Sequence, residues 1–276
     1  MAYLLSTEHF AKMGEFIYRK SGIFLEEAKH FEKLAKFVDK RCNELGIENF
    51  RKYFFTLRFE DKNGLEFQEL MNGITVNETY FFREKEQFEV LANTVLPELH
   101  EKVSAGRPLR ILSSPCSTGE EPYSMILHIL EEGNVVEKRD IEVVGIDIDS
   151  TVIQKAKASH FTERSIHAIP KHILNRWFKK KGFGYVISED LQGSVDFQVA
   201  NVFDKAQMRA LGKFDVIFSR NMLIYFDDAS RKEVAMTFYD MLNPGGYVLL
   251  GHAEYMSRIV SVFNAKKVDN TLIYQK

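Results

Sequence analysis

The hydrophobic periodicity changes at Gly106-Arg107-Pro108, and this change restricts the possible folds more than any other feature of the chain. Upstream, apolar residues recur at helical spacing. Downstream, short apolar runs alternate with helical patterns, which predicts parallel strands joined by crossover helices. The predicted strands are Leu109–Ser113, Ile141–Ile146 (ending at Asp147), Val195–Val199, Phe214–Phe218 and Tyr247–Gly251, with Thr271–Tyr274 closing the sheet. Helices are predicted at Pro122–Glu131 and Ser150–Ala158. Asn243-Pro244-Gly245-Gly246 reads as a turn introducing the strand at Tyr247. Between Phe161 and Gly193 the rhythm breaks, and Lys179–Gly184 followed by Tyr185-Val186-Ile187 predicts an inserted hairpin. The expected class is α/β, a doubly wound, mostly parallel sheet with a small β-insert at about 161–193 and an all-helical domain over residues 1–76.

The clearest N-terminal helix is predicted from Glu26 to Leu45. At about 100° per residue, Phe31, Leu34, Val38, Cys42 and Leu45 share one side, and Gly46 stops the helix. Lys29, Lys33, Lys36 and Lys40 form a narrow stripe opposite. Such a stripe is either a solvated face or an electrostatic docking surface for an acidic helical partner. Shorter helices are predicted at Thr7–Lys20, Asn49–Leu57 and Leu65–Met71, and a longer one after Arg83 through Phe88, Leu91, Val95 and Leu99.

In open parallel sheets the ligand sits beyond the carboxyl ends of the strands. That rule selects the turn after Ser113, Asp147, the turn at Asn201, and Arg220-Asn221. The first turn holds only Gly119 in Ser117-Thr118-Gly119-Glu120-Glu121-Pro122-Tyr123, so it lacks the several glycines of a pyrophosphate cradle. A cofactor without phosphates fits better, and S-adenosylmethionine is the obvious one. Asp147 ends the second strand, where a carboxylate accepts from both ribose hydroxyls, while Asp149 or Ser150 serves the helix N-cap. Glu120 and Glu121 each have an alternative role at the start of a helix. Asp215 is expected to anchor a neighbouring amide, and His252 to be structural.

Three segments then carry a resemblance: Asn77-Glu78-Thr79-Tyr80-Phe81-Phe82-Arg83, the Ser117–Tyr123 motif, and Arg220-Asn221-Met222-Leu223-Ile224-Tyr225-Phe226. Together they resemble the CheR family of chemotaxis receptor methyltransferases, over essentially the whole chain. The resemblance implies a Rossmann-like methyltransferase domain over 77–276, with S-adenosylmethionine as methyl donor and receptor glutamates as acceptors. It places Asn77, Thr79 and Arg83 at the methionyl portion, Glu121 at the cofactor, and Asn201-Val202 on the adenine and ribose side. Val202 stands where the family has Leu. Arg220 and Asn221 match the pair ending the fourth strand, and Tyr225 a tyrosine of the transfer site. A capping motif on the next helix explains Thr79 but leaves Arg83 unexplained, whereas Arg83 offers a bidentate fork to a carboxylate. Arg83 and Tyr225 are therefore the expected catalytic pair. Gly251-His252-Ala253-Glu254 departs from the family's Gly-His-Ser-Glu at Ala253, which leaves the role of this stretch open.

The basic second helix of the family contacts the receptor's methylation region, so Lys29, Lys33, Lys36 and Lys40 become partner-binding candidates. The Lys179–Gly184 loop is shorter than in members that grip a receptor's C-terminal pentapeptide, which predicts weak or no tethering. A net charge of -2 argues against a general nucleic-acid binder. No apolar run approaches the roughly 18 residues of a membrane span. Two cysteines make no metal or disulfide framework. The start at Met1 lacks a basic n-region, and a cytoplasmic monomer is expected. The competing readings are a carboxyl methyltransferase for another signalling protein and a cofactor-binding module without turnover.

Overall fold

Residues 3–104, 106–132 and 139–276 are described by a computed structural model of the chain. Met1 and Ala2 of the N-terminal stretch lie outside them. The helical third comprises α1 (Thr7–Ser21), α2 (Glu27–Leu45), α3 (Phe50–Phe55) and α4 (Leu65–Ile74). The Ser6 side chain caps α1 by accepting from the His9 amide, and Gly22 ends it at φ 73°, its N–H donating to the Tyr18 carbonyl. Gly46 ends α2 in the same left-handed way. Leu34, Val38, Cys42, Phe10, Ile17, Tyr53 and Leu70 form the core of these helices, and Ile148 of the sheet domain packs against it.

The predicted helix after Arg83 is present but interrupted. α5 (Lys85–Val90) and α6 (Leu96–Lys102) are separated by a π-helical turn at Leu91–Val95. Pro97, in the first turn of α6, has no N–H to continue the ladder, and the wider turn absorbs that loss.

Next come β1 (Leu109–Ser113), α7 (Glu120–Glu132), β2 (Ile141–Asp147) and α8 (Ser150–Ala158), capped by Asp149. The insert is richer than a hairpin. β3 (His160–Thr162), α9 (Lys171–Trp177), β4 (Phe178–Lys181) and β5 (Gly184–Ile187) form a separate antiparallel sheet ordered β3-β5-β4. Then follow β6 (Val195–Val199), α10 (Lys205–Ala210), β7 (Phe214–Ser219), α11 (Asp228–Met241), β8 (Leu242–Leu250), β9 (Asn264–Val268) and β10 (Thr271–Gln275).

Among the described residues the main sheet runs β6-β2-β1-β7-β8-β10-β9. β6, β2, β1, β7 and β8 are parallel, while β10 runs antiparallel to both of its neighbours, β8 and β9. The predicted turn at Asn243–Gly246 is a bulge inside β8. Leu242 pairs with Phe214 and Tyr247 with Val216, so the four residues loop out, with Gly245 at φ 80°. β9 had no periodic signal, being a mostly exposed edge strand. Every residue of β7 is buried, between apolar clusters on the two sheet faces. Asp215 anchors the far end of β7: it accepts from the Arg110 amide (3.0 Å), from Asn243, and from both terminal nitrogens of Arg107. The order reverses between β1 and β7, which opens a crevice at their carboxyl ends.

Candidate active site

A cavity of about 340 Å³ occupies that crevice, within the range of pockets for drug-sized ligands. Asn77, Thr79, Arg83, Glu121, Asp147, Asn201, Val202, Arg220, Asn221 and Tyr225 all line it. One further wall comes from the N-terminal helices: Ser21, Ile23, Phe24 and Leu25 around the α1–α2 connection, with His30 and Lys33 of α2. That wall was not anticipated, because nothing local in the helix pattern records which end packs on the sheet.

Asp147 is buried at the end of β2. One carboxylate oxygen accepts from the Ser117 amide (2.9 Å) and the other from the Asp149 amide (3.0 Å). Burial nevertheless pushes its pKa up to about 6, because backbone bonds only partly offset desolvation. Gly119, at φ 97°, serves close packing: a Cβ there would meet the Phe197 ring at 3.0 Å and Ala156 at 3.2 Å.

The floor is a buried ionic cluster. Arg220 donates to Glu121 (3.0 Å), is paired with Glu84 (3.2 Å), and donates to the Arg83 carbonyl. Ser113 donates to the other oxygen of Glu121 (2.7 Å). Burial raises the pKa of Glu121, while the Arg220 charge and the Ser113 hydroxyl oppose that rise. The Arg220 fork is thus turned on protein acceptors. Glu84 was not singled out by sequence, and its partner lies 136 residues away.

Glu254 is a second residue whose role sequence left open. Its buried carboxylate accepts three amides: Leu223 (2.7 Å), Asn221 (2.8 Å) and Gly251 (3.0 Å). This staples the turn carrying Arg220, Asn221 and Tyr225 to the end of β8. Asn221 sits at φ 58°; Phe82 and Glu84 (both 56°) and Ser117 (47°) are also left-handed. Such strain persists only where surrounding contacts over-determine the backbone. His252 is exposed and contacts Glu86.

Asn77 donates to Asp149 (2.7 Å), and Asn201 donates to the Lys20 carbonyl at the end of α1 (2.7 Å). Arg83 donates to the Glu78 carbonyl (3.1 Å) and its guanidinium lies 5.9 Å from the Tyr80 ring centre. Tyr225 and Phe226 both line the cavity, and Phe226 is in addition buried in the core beneath it. Burial raises the Tyr225 pKa, against the nearby Arg83 charge, so its hydroxyl stays protonated at neutral pH.

The lysines of the stripe differ in their partners. Lys29, Lys36 and Lys40 are paired with Glu26, Glu32 and Glu44 on the same chain segment, at the spacing that helical geometry brings together. Lys33 instead donates to the Ile74 and Thr75 carbonyls (both 2.8 Å), closing the end of α4. Desolvation lowers its pKa.

The donor set suits a ligand with a diol, a planar base, a cationic centre and an amino-acid end. Asp147 and Arg83 bring a carboxylate acceptor and a guanidinium donor to the cavity, and Ile146, Ala200 and Val202 give it apolar walls. The doubly wound sheet with its crevice is a Rossmann-like methyltransferase fold, and the class of the chain is an S-adenosylmethionine-dependent methyltransferase. Residues 77–272 match the family model described as CheR methyltransferase, SAM binding domain. The chain is 42% identical to chemotaxis protein methyltransferase 2 of Vibrio cholerae over 278 residues, covering 99% of this chain and 94% of that protein. It is 32% identical to the Escherichia coli chemotaxis protein methyltransferase over 267 residues, covering 95% and 89%. To the Salmonella typhimurium protein of the same name it is 31% identical, covering 95% and 88%. The chain belongs to the CheR methyltransferase family, and its cofactor is S-adenosylmethionine.

Proposed function

We propose that the protein methylates glutamate side chains on the cytoplasmic helical region of chemotaxis receptors, giving methyl esters. The observation that carries this reading is that ten residues from five separate segments line one cavity, with Arg83 and Tyr225 among them. Asp147 takes the ribose hydroxyls, Asn201 and Val202 the adenine side, and Asn77, Thr79 and Arg83 the methionyl end. Arg220 holds Glu121 in place, and Asn221 shapes the adjoining turn.

S-adenosylmethionine supplies an electrophilic methyl on a positive sulfur. A glutamate, with an ordinary pKa of about 4.3, is already ionised at neutral pH and needs no general base. The protein's work is then alignment and exclusion of water. Tyr225 donates a hydrogen bond to the acceptor. Arg83 divides its fork between the cofactor's carboxylate and the acceptor, since full engagement of the nucleophile would quench it.

Residues 1–76 act as the receptor-facing unit, and 77–276 as the catalytic one, with the insert at about 161–193. Lys29, Lys36 and Lys40 offer exchangeable surface pairs to an acidic receptor helix, with Lys33 at their inner edge. Among the described residues no helix is long and apolar enough to cross a membrane. The protein works in the cytoplasm as a monomer, with weak or no hold on a receptor C-terminal pentapeptide. Labelled S-adenosylmethionine and receptor-bearing membranes test the reading. Base-labile label released as methanol is expected, and Arg83→Ala abolishes it. Cofactor binding without any label would leave a regulatory module, and label on a different protein would leave another carboxyl acceptor.

A further inference from the structure

Three apolar side chains at the cavity leave half or more of their surface in water: Phe24 (50%), Val76 (56%) and Ile224 (50%). They come from the α1–α2 connection, the segment between α4 and Arg83, and the turn after β7. Single exposed apolar residues are unremarkable, but three around one opening mark a contact surface. Phe24 is tied to Tyr225, and Ile224 immediately precedes Tyr225 in the chain. The Phe24 amide donates to the Tyr225 carbonyl (2.9 Å), and Ile23 forms an antiparallel bridge with Phe226. The backbone of the helical domain therefore continues into the turn that carries the acceptor-side tyrosine.

We propose that Phe24, Val76 and Ile224 form an apolar collar that seats on the polypeptide carrying the acceptor carboxylate. The partner is an amphipathic helix whose glutamate is flanked, one turn away, by apolar residues. This rests on the proposed reading that the acceptor is a protein glutamate. A glutamate side chain is short, so reaching Arg83 and Tyr225 brings its own helix backbone down onto the rim. Residues three and four positions away then face the collar. A free carboxylic acid would enter without covering it, so the collar selects helical protein acceptors and excludes water from the ionised carboxylate.

The test replaces all three residues by serine in the full chain, with Phe59→Ser as control. Phe59 is 60% exposed and does not line the cavity. Initial rates on receptor-bearing membranes give KM, and calorimetry gives affinity for S-adenosylhomocysteine. The triple variant is expected to raise the receptor KM at least ~10-fold, a factor well beyond any loss of product affinity, with the control unchanged. An unchanged KM overturns the collar, as does a KM that rises only in step with lost product affinity. A wild-type protein that binds the product but labels no receptor overturns the underlying reading, and the collar falls with it.

Discussion

Replacing Asp147 by asparagine separates stability from affinity, because the carboxylate works against one and for the other. Burial raises its pKa from an ordinary 3.8 to about 6. A difference of about two pH units corresponds to about 3 kcal/mol. Below about pH 4 both folded and unfolded chains hold the proton and no cost arises; the cost grows as pH rises and is complete above about pH 6. Asparagine removes it but turns an NH₂ toward the Ser117 or Asp149 amide, which leaves a donor unpaired at about 1–3 kcal/mol. The two effects nearly cancel, so the variant should unfold within about 1 kcal/mol of wild type at neutral pH. Relative to wild type it should be about 1–2 kcal/mol less stable at about pH 5 than at about pH 7.5. Affinity should not cancel. Losing at least one charge-assisted bond to a ribose hydroxyl costs about 2 kcal/mol, or ~30-fold. Urea unfolding and titration of S-adenosylhomocysteine measure the two quantities. The same bonds make wild-type affinity weaken below about pH 6, and the variant should lack that dependence. Product affinity within ~3-fold of wild type at neutral pH would refute the reasoning.

Gly22→Ala places a Cβ at φ 73° and 2.6 Å from the Phe203 ring and 2.9 Å from that of Phe226, so about 1–3 kcal/mol of stability is expected to go, read by thermal melting. Because the same turn abuts Tyr225, methyl transfer should fall further than product affinity. Glu254→Gln keeps one acceptor where three amides converge, and should lower kcat/KM ~10-fold or more at roughly unchanged size and shape, checked by steady-state rates. Charge reversal at Lys29 and Lys36 should weaken receptor methylation several-fold (~5-fold) at low salt, the effect fading toward ~0.5 M salt with product affinity constant. Lys33→Met, by contrast, uncaps α4 and should cost about 1 kcal/mol in unfolding experiments whatever the receptor.

The strand and helix runs were legible because they rest on local causes. β1, β6 and α8 fall where their apolar period and flanking caps predict them. Carboxyl-terminal strand positions such as Asp147 and Asn201 followed from topology, once parallel strands were read from the pattern. Weakly patterned pieces were missed: β9 buries almost nothing, and the short β3 alternates over only three residues. The lysine spacing predicted a stripe, but not that Lys33 would reach across to Ile74 and Thr75.

Sequence alone thus determined the class of sheet, the order of its elements and the set of residues delivered to its open edge. Tertiary structure alone decided what those residues do to one another: Arg220 held between Glu84 and Glu121, three amides gathered on Glu254, and the α1–α2 connection bridged to Phe226. The division has a physical origin. Helical and strand periods are properties of neighbouring residues and appear in the pattern. A buried ion pair depends instead on where two distant backbones pack, and on whether their charges stay paired once water has been expelled.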